Sequence, residues 1–234
     1  ATDPSLQTPA EAATDRGERA RTRLVGESAR IFAEKGYAST STREICAAAG
    51  LNVAAIHYHF GGKEGLYREV LLGPIRRLAA QFDGFDDPAL PVAEALRRML
   101  GAFVGVAGEA GAGAVADGLA EQGLRLHLRE MVEPSPVYAA TVAQHIVPHH
   151  QAMARMLGRH IGVTAPDDDV HRLAFALVAM AHDYCMSREF MNILAPGLLD
   201  RPRALTLALD RLVDWGLALI EHERRRRSLP PSTP

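Results

Sequence analysis

An all-α fold of about nine helices is expected from three features of this 234-residue sequence. Apolar residues recur at helical spacing in one segment after another, Gly and Pro clusters close the segments, and no β-rich alternating stretch or internal repeat interrupts them. Hydrophobic residues at 47% and charged residues at 23% are ordinary for a globular chain, long enough for one large or two small domains.

Residues 1–17, rich in Ala, Thr, Pro and Asp and without an apolar period, read as a disordered lead-in. The first helix is expected from about Arg19 to Lys35, with Leu24, Val25, Ser28, Ile31 and Phe32 as its inner stripe and Gly36 as its stop. Thr40-Ser41-Thr42 supplies caps for a second helix, with Glu44 in reach of its free amides. Gly61-Gly62 separates a third helix from a fourth, which begins at Lys63 and is kinked or divided at Pro74. Asp83-Gly84-Phe85-Asp86-Asp87-Pro88 is a loop. Further helices are expected at about 91–107, 116–132, 136–161, 167–193 and 202–226, followed by a disordered tail over 228–234. The implied division is a small domain over 18–63 and a larger helical one over 64–227.

The first functional signal lies between Ser41 and Lys63. Ile45, Ala48 and Ala49 precede Gly50-Leu51-Asn52, and Val53, Ile56 and Phe60 follow it, each set at helical spacing. Gly50 is able to adopt a positive φ and close one helix, while Asn52 caps the next. Two helices joined by a short Gly-containing turn form a helix-turn-helix, whose second helix enters a DNA major groove. Charge agrees with this. The chain carries a net −2, but residues 16–68 hold nine Lys/Arg against five Glu, a net of +4. So modest an excess makes specificity a matter of placement.

Other classes are disfavoured. Cys46 and Cys185 give no disulfide framework or zinc pattern and read as buried cytosolic thiols. No apolar run approaches the roughly 18–20 residues of a membrane span, and the N-terminus is no signal peptide, so a cytoplasmic protein is expected. No Gly-rich phosphate loop, Gly-x-Ser-x-Gly elbow, His-Glu-x-x-His or paired carboxylates suggest an enzyme, and no cofactor is expected.

The last two long helices are apolar on more than one side. In 167–193, Val170, Leu173, Ala174, Leu177, Val178 and Ala181 form one stripe, while Phe175, Ala176, Ala179 and Met180 oppose it. In 202–226, Leu205, Leu209, Leu212, Val213, Leu219 and Ile220 share a face, with Leu207, Trp215 and Leu217 elsewhere. One face packs on the subunit core, and the other is expected on the partner of a homodimer whose two-fold suits a palindromic operator. Polar or aromatic groups on apolar helices mark candidate pocket residues: Phe103, His127, Met131, Tyr138, His145, His149, His182 and Tyr184, with Asp183 and Arg188. An organic ligand is the default for a helical cavity of this kind. The alternative is a metal sensor built on His145 and His149, which share a helix face, with His150, His182 or Asp183. Gly105, Gly108, Gly111, Gly113, Gly118 and Gly123 suggest a loose gate. Arg224-Arg225-Arg226-Arg227 follows a helix C-terminus and reads as a solvated end, the lesser reading being a second DNA patch.

The run TSTREICAAAGLNVAAIHYHFGGKEGLYREVL, with the preceding Ile31-Phe32-Ala33-Glu34-Lys35-Gly36-Tyr37, resembles the DNA-binding signature of the TetR family of transcriptional regulators. Leu128–Pro136 with Val147-Pro148 is similar to the CecR-like branch of that family. The resemblance implies a homodimeric repressor that a small molecule releases from its double-stranded DNA operator. At matching positions it implies that Thr42 and Arg43 meet phosphate or a base edge, and that Val53, Ala54 and Ala55 face the groove floor. His57, Tyr58, His59 and Lys63 would meet phosphate or sugar. Base readout then rests on Arg43, Asn52 and His57 together with DNA shape, and Arg16, Arg19 and Arg21 are candidates for a minor-groove arm.

Overall fold

A computed structural model describes residues 9–79, 82, 84–107 and 119–228. Those residues form eleven α-helices and no strand: α1 (Pro9–Lys35), α2 (Thr42–Ala49), α3 (Ala54–Phe60), α4 (Lys63–Ala79), α5 (Val92–Ala107), α6 (Leu119–Val132), α7 (Pro136–His145), α8 (Val147–Ile161), α9 (Asp168–Met186), α10 (Arg188–Leu194) and α11 (Ala204–Ser228). The all-α class is as expected, and the count exceeds nine because two expected helices are divided. The break in 136–161 falls at Ile146, two residues before Pro148, which has no N–H and sits in the first turn of α8. The break in 167–193 falls at Ser187, whose N–H donates to Asp183 while its carbonyl accepts from Met191. Pro74 lies within α4 without ending it.

α1 starts at Pro9, so residues 9–17 of the expected lead-in are helical. Proline suits a first helical turn, and Asp15 pairs with Arg19 one turn on. Residues 1–8 and 229–234 lie outside the described residues, as do 108–118, which include Gly108, Gly111, Gly113 and Gly118 of the expected gate.

The described residues fall into two compact units, one within Ala1–Pro74 and Asp117–Val142, the other within Ile75–Ala116 and Ala143–Pro234. In the first, Leu24, Phe32, Ile45, Ile56, Leu66, Tyr67 and Leu126 are fully buried in one core. α6 packs along α1 in this unit, and two close approaches fix it there. A Cβ on Gly123 would stand 2.7 Å from Pro74 Cγ, and one on Gly36 would stand 3.0 Å from the Arg129 guanidinium. Gly123 therefore serves packing, not looseness.

In the second unit α5 lies against both α9 and α11. Leu96, Met99, Leu100, Leu157, Leu177 and Leu212 form its centre, and Gly216 lets α11 approach, since a Cβ there would be 3.0 Å from Leu96 Cδ1. The basic run ending α11 is neither a free cationic patch nor merely solvated. Arg227 reaches Asp167 at 2.6 Å and Arg226 reaches Asp169 at 2.5 Å, tying the end of α11 to the start of α9, while Arg224 and Arg225 pair with Glu221. The Arg227 guanidinium, with the Val170 amide second, holds the Asp167 carboxyl well below the usual range.

Gly65 has the least room in the first unit: a Cβ there would lie 1.9 Å from the Phe60 carbonyl oxygen. Gly65→Ala gains about 1 kcal/mol of helix propensity but forces α3 and α4 apart. A net loss of at least ~1–3 kcal/mol is expected in chemical denaturation, and a variant as stable as the parent would refute this close approach.

Candidate nucleic-acid interface and effector region

The turn between α2 and α3 is built from local chemistry. Ser41 caps α2, its Oγ accepting from the Glu44 amide at 3.1 Å. Gly50 closes α2 at φ 62°, and Asn52 Oδ1 accepts from the Ala54 amide at 3.0 Å to start α3. The Glu44 carboxylate does not return to the cap; it pairs with Lys35 and so joins the end of α1 to the start of α2. That hydrogen bond is the main reason its pKa lies below the ordinary value. Ile45, Cys46, Ala49 and Ile56 are buried, which fixes α3 against α2.

Of the residues expected at DNA, Arg43, Asn52, Ala54, His57 and Tyr58 are exposed, Tyr58 at 85%. Thr42, Val53, Ala55, His59 and Lys63 are half-buried, and Val53 and Ala55 pack against the core of the first unit. Ala54 is thus the exposed member of the three small residues. Lys63 Nζ stands 4.4 Å over the Tyr37 ring, and partial burial lowers its pKa. Among the arm candidates, Arg21 pairs with Glu69 at 2.8 Å and lies over Phe60, and Arg19 pairs with Asp15, while Arg16 is exposed, as is nearby Arg23.

The expected effector residues separate into groups. In the first unit, Tyr138 Oη meets His127 Nδ1 at 3.2 Å, and Met131 is exposed. Burial, with the Glu130 charge second, pushes Tyr138 up to about 12. In the second unit, Phe82 joins Phe103 at 5.3 Å and His149 at 5.6 Å, and Phe103 meets His182 at 6.2 Å. Burial lowers the His182 pKa against the opposing Asp183 charge. Tyr184 packs beside the same core. His149 Nδ1 donates to the His145 carbonyl at 2.8 Å, so that nitrogen is already engaged. His150 Nε2 instead meets His171 Nδ1 at 3.0 Å. Among the described residues no group of three or more His, Cys, Asp or Glu is placed to hold a metal. An open cavity of about 330 Å3 is lined by Val92, His160, Leu217, Ile220, Glu221 and Arg224, none of them an expected effector residue.

Sequence reasoning missed Tyr67 and Glu130. The Tyr67 hydroxyl donates to Glu130, which is 3% exposed and whose second oxygen accepts the Ser135 amide at 2.7 Å. Burial first, and then that carboxylate, raise the Tyr67 pKa. One signal was available: Glu130 follows buried Leu126 by one helical turn, which places it on the inward face.

The comparisons accord with this geometry. Residues 24–70 match the family model for bacterial regulatory proteins of the tetR family, and residues 92–218 match that for the C-terminal domain of the HTH-type transcriptional dual regulator CecR. CecR of Shigella flexneri is 50% identical over 56 residues, which are 24% of this chain and 25% of that protein, so the match spans only a quarter of this relative. The TetR family regulator PfmR of Thermus thermophilus is 26% identical with a TM-score of 0.53, over 84% of this chain and 97% of that one. AibR, solved in complex with isovaleryl coenzyme A and operator DNA, shares the fold at 18% identity and a TM-score of 0.55, over 84% and 97% of the two chains. With more than half of its length inside one of these family matches and its helix-turn-helix inside the other, the chain belongs to the TetR family of bacterial regulatory proteins, with a C-terminal domain of the CecR type.

Proposed function

We propose that this protein is a homodimeric transcriptional repressor that leaves a palindromic operator when an organic effector binds its C-terminal domain. The observation that carries the reading is the α2–α3 arrangement, in which buried Ile45, Cys46, Ala49 and Ile56 hold the helices while Arg43, Asn52, Ala54, His57 and Tyr58 stay exposed. Arg43 suits a fork onto guanine O6 and N7 or a phosphate, His57, Tyr58 and His59 suit phosphate and sugar, and Ala54 suits a thymine methyl. Thr42 and Lys63 flank this set. Two such readers on a two-fold axis meet successive grooves about 34–36 Å apart.

Dimerisation is assigned to α9 and α11, where Phe175, Leu207, Trp215 and Leu219 are exposed although the opposite sides of both helices are buried in the core. The effector is read as organic because Phe82, Phe103 and His182 form an aromatic cluster. AibR, of similar fold, takes an acyl coenzyme A. Release requires the effector to favour a conformation that fits the operator poorly, and the coupling is reciprocal. α6 is the proposed transmitter alongside α4. It falls within the residues matching the CecR C-terminal domain, yet it packs on α1 in the unit that holds the reader.

Three measurements test this reading. Arg43→Ala should cost about 1–3 kcal/mol of operator binding in gel shifts at fixed salt; no loss, or no palindrome bound by the parent, would sink the reader. Trp215 is the sole tryptophan, so dilution through the dimer dissociation range should shift its emission to the red, and an invariant spectrum would argue against α11 at the interface. Glu130→Gln keeps one acceptor for two donors, Tyr67 and Ser135. It should destabilise the first unit by roughly 1–3 kcal/mol and speed amide exchange in 63–72, whereas unchanged exchange would remove α6 from the route.

A further inference from the structure

Between α9 and α11 the chain makes a seven-residue helix, α10, that buries none of its residues. A helix this short is not stable alone in water. Its apolar side chains point outward: Phe190 is 60% exposed, Ile193 76% and Leu194 68%, and Leu198 beyond it is 46% exposed. Yet Asn192, between them, has its Oδ1 shut off from solvent with no hydrogen-bond donor. That acceptor is enclosed by the subunit's own atoms, whereas the apolar side chains around it call for another surface to close over them.

We infer that α10 and the residues through Leu198 form an arm that clasps the second copy of this chain, extending the interface beyond α9 and α11. The inference rests on the dimer reading above. The arm is joined to α9 by Ser187 alone and lies in sequence between the two helices that carry Phe175, Leu207, Trp215 and Leu219.

Area favours a second copy as the occupant. At roughly 200 Å2 for a fully exposed large side chain, the 36–63% exposure of those four residues leaves about 400 Å2 of apolar surface per subunit. Obligate homodimers bury at least ~1,000 Å2 per subunit, about two thirds of it apolar. The two long helices therefore fall short alone. The arm adds about 500 Å2 on the same scale, which brings the total into the obligate range.

The test is sedimentation equilibrium on the full chain and on the Ile193→Ser/Leu194→Ser variant, with circular dichroism to establish that the variant is folded. Both side chains are exposed in the subunit, so its helicity should be unchanged while the dimer dissociation constant rises on the order of 100-fold. Amides of 188–194 in the parent should also exchange more slowly as protein concentration rises through the dimer range. A parent that dimerises, with a variant that dimerises equally well and exchange in 188–194 independent of concentration, overturns the arm and leaves the dimer standing. A parent that stays monomeric overturns both.

Discussion

Tyr67 is the contact on which the first unit depends. It lies on α4, its side chain is fully buried, and it touches three other segments. Its ring meets Phe32 of α1 edge-on at 4.6 Å and Tyr37, just beyond α1, at 4.7 Å, while its hydroxyl donates to Glu130 of α6. A buried hydroxyl without an acceptor is costly, and so is a buried carboxylate without donors. Each satisfies the other, and the Ser135 amide completes the carboxylate. The pair therefore sets the position of α6 along α1 more strictly than apolar packing alone. Arg129, placed against the Gly36 turn, acts in the same register. Lys35 and Glu44 in turn join the end of α1 to the start of α2.

This coupling explains why a segment matching a C-terminal domain shares a core with the helix-turn-helix. Leu126, Val137 and Tyr138 are buried in the same cluster as Ile45 and Ile56. A shift of α6 displaces those side chains and, with them, the floor on which α2 and α3 rest. Close-packed interiors respond to such a shift by repacking, not by stretching. In the proposed repressor, effector energy enters the reader through this shared core.

What could be read from sequence was the local chemistry. Gly36, Gly50, Ser41 and Asn52 act within a few residues of themselves, and each does so as its residue type requires. The apolar stripes of α1, α9 and α11 were legible for the same reason. The Tyr67–Glu130 bond joins residues 63 positions apart and follows no period. The start of α1 at Pro9 was hidden because the helix there has no apolar stripe to reveal it. The break at Ser187 was hidden because the apolar pattern runs across it, although the backbone turns. Arg226 and Arg227 look like free cations until folding brings Asp169 and Asp167 beside them. Lys35 and Glu44 show the opposite error, since a capping-box pattern was present and a tertiary ion pair took its carboxylate.

The same distinction narrows the proposed DNA surface. The modest net of +4 over residues 16–68 comes from nine Lys and Arg against five Glu. Yet Arg19, Arg21, Arg30, Lys35 and Arg68 each pair with a carboxylate, and Lys63 stands over Tyr37. Exposed pairs such as these add little stability and cancel charge at the range where DNA would feel it. Arg16, Arg23 and Arg43 are exposed and carry no ion pair among the described residues. Arg43 alone of these opens a helix of the helix-turn-helix. With Val53 and Ala55 turned to packing and Ala54 unable to hydrogen-bond a base through its side chain, sequence choice in such a reader falls on Arg43, on Asn52 and His57, and on how readily the operator takes the shape that two fixed α3 helices demand.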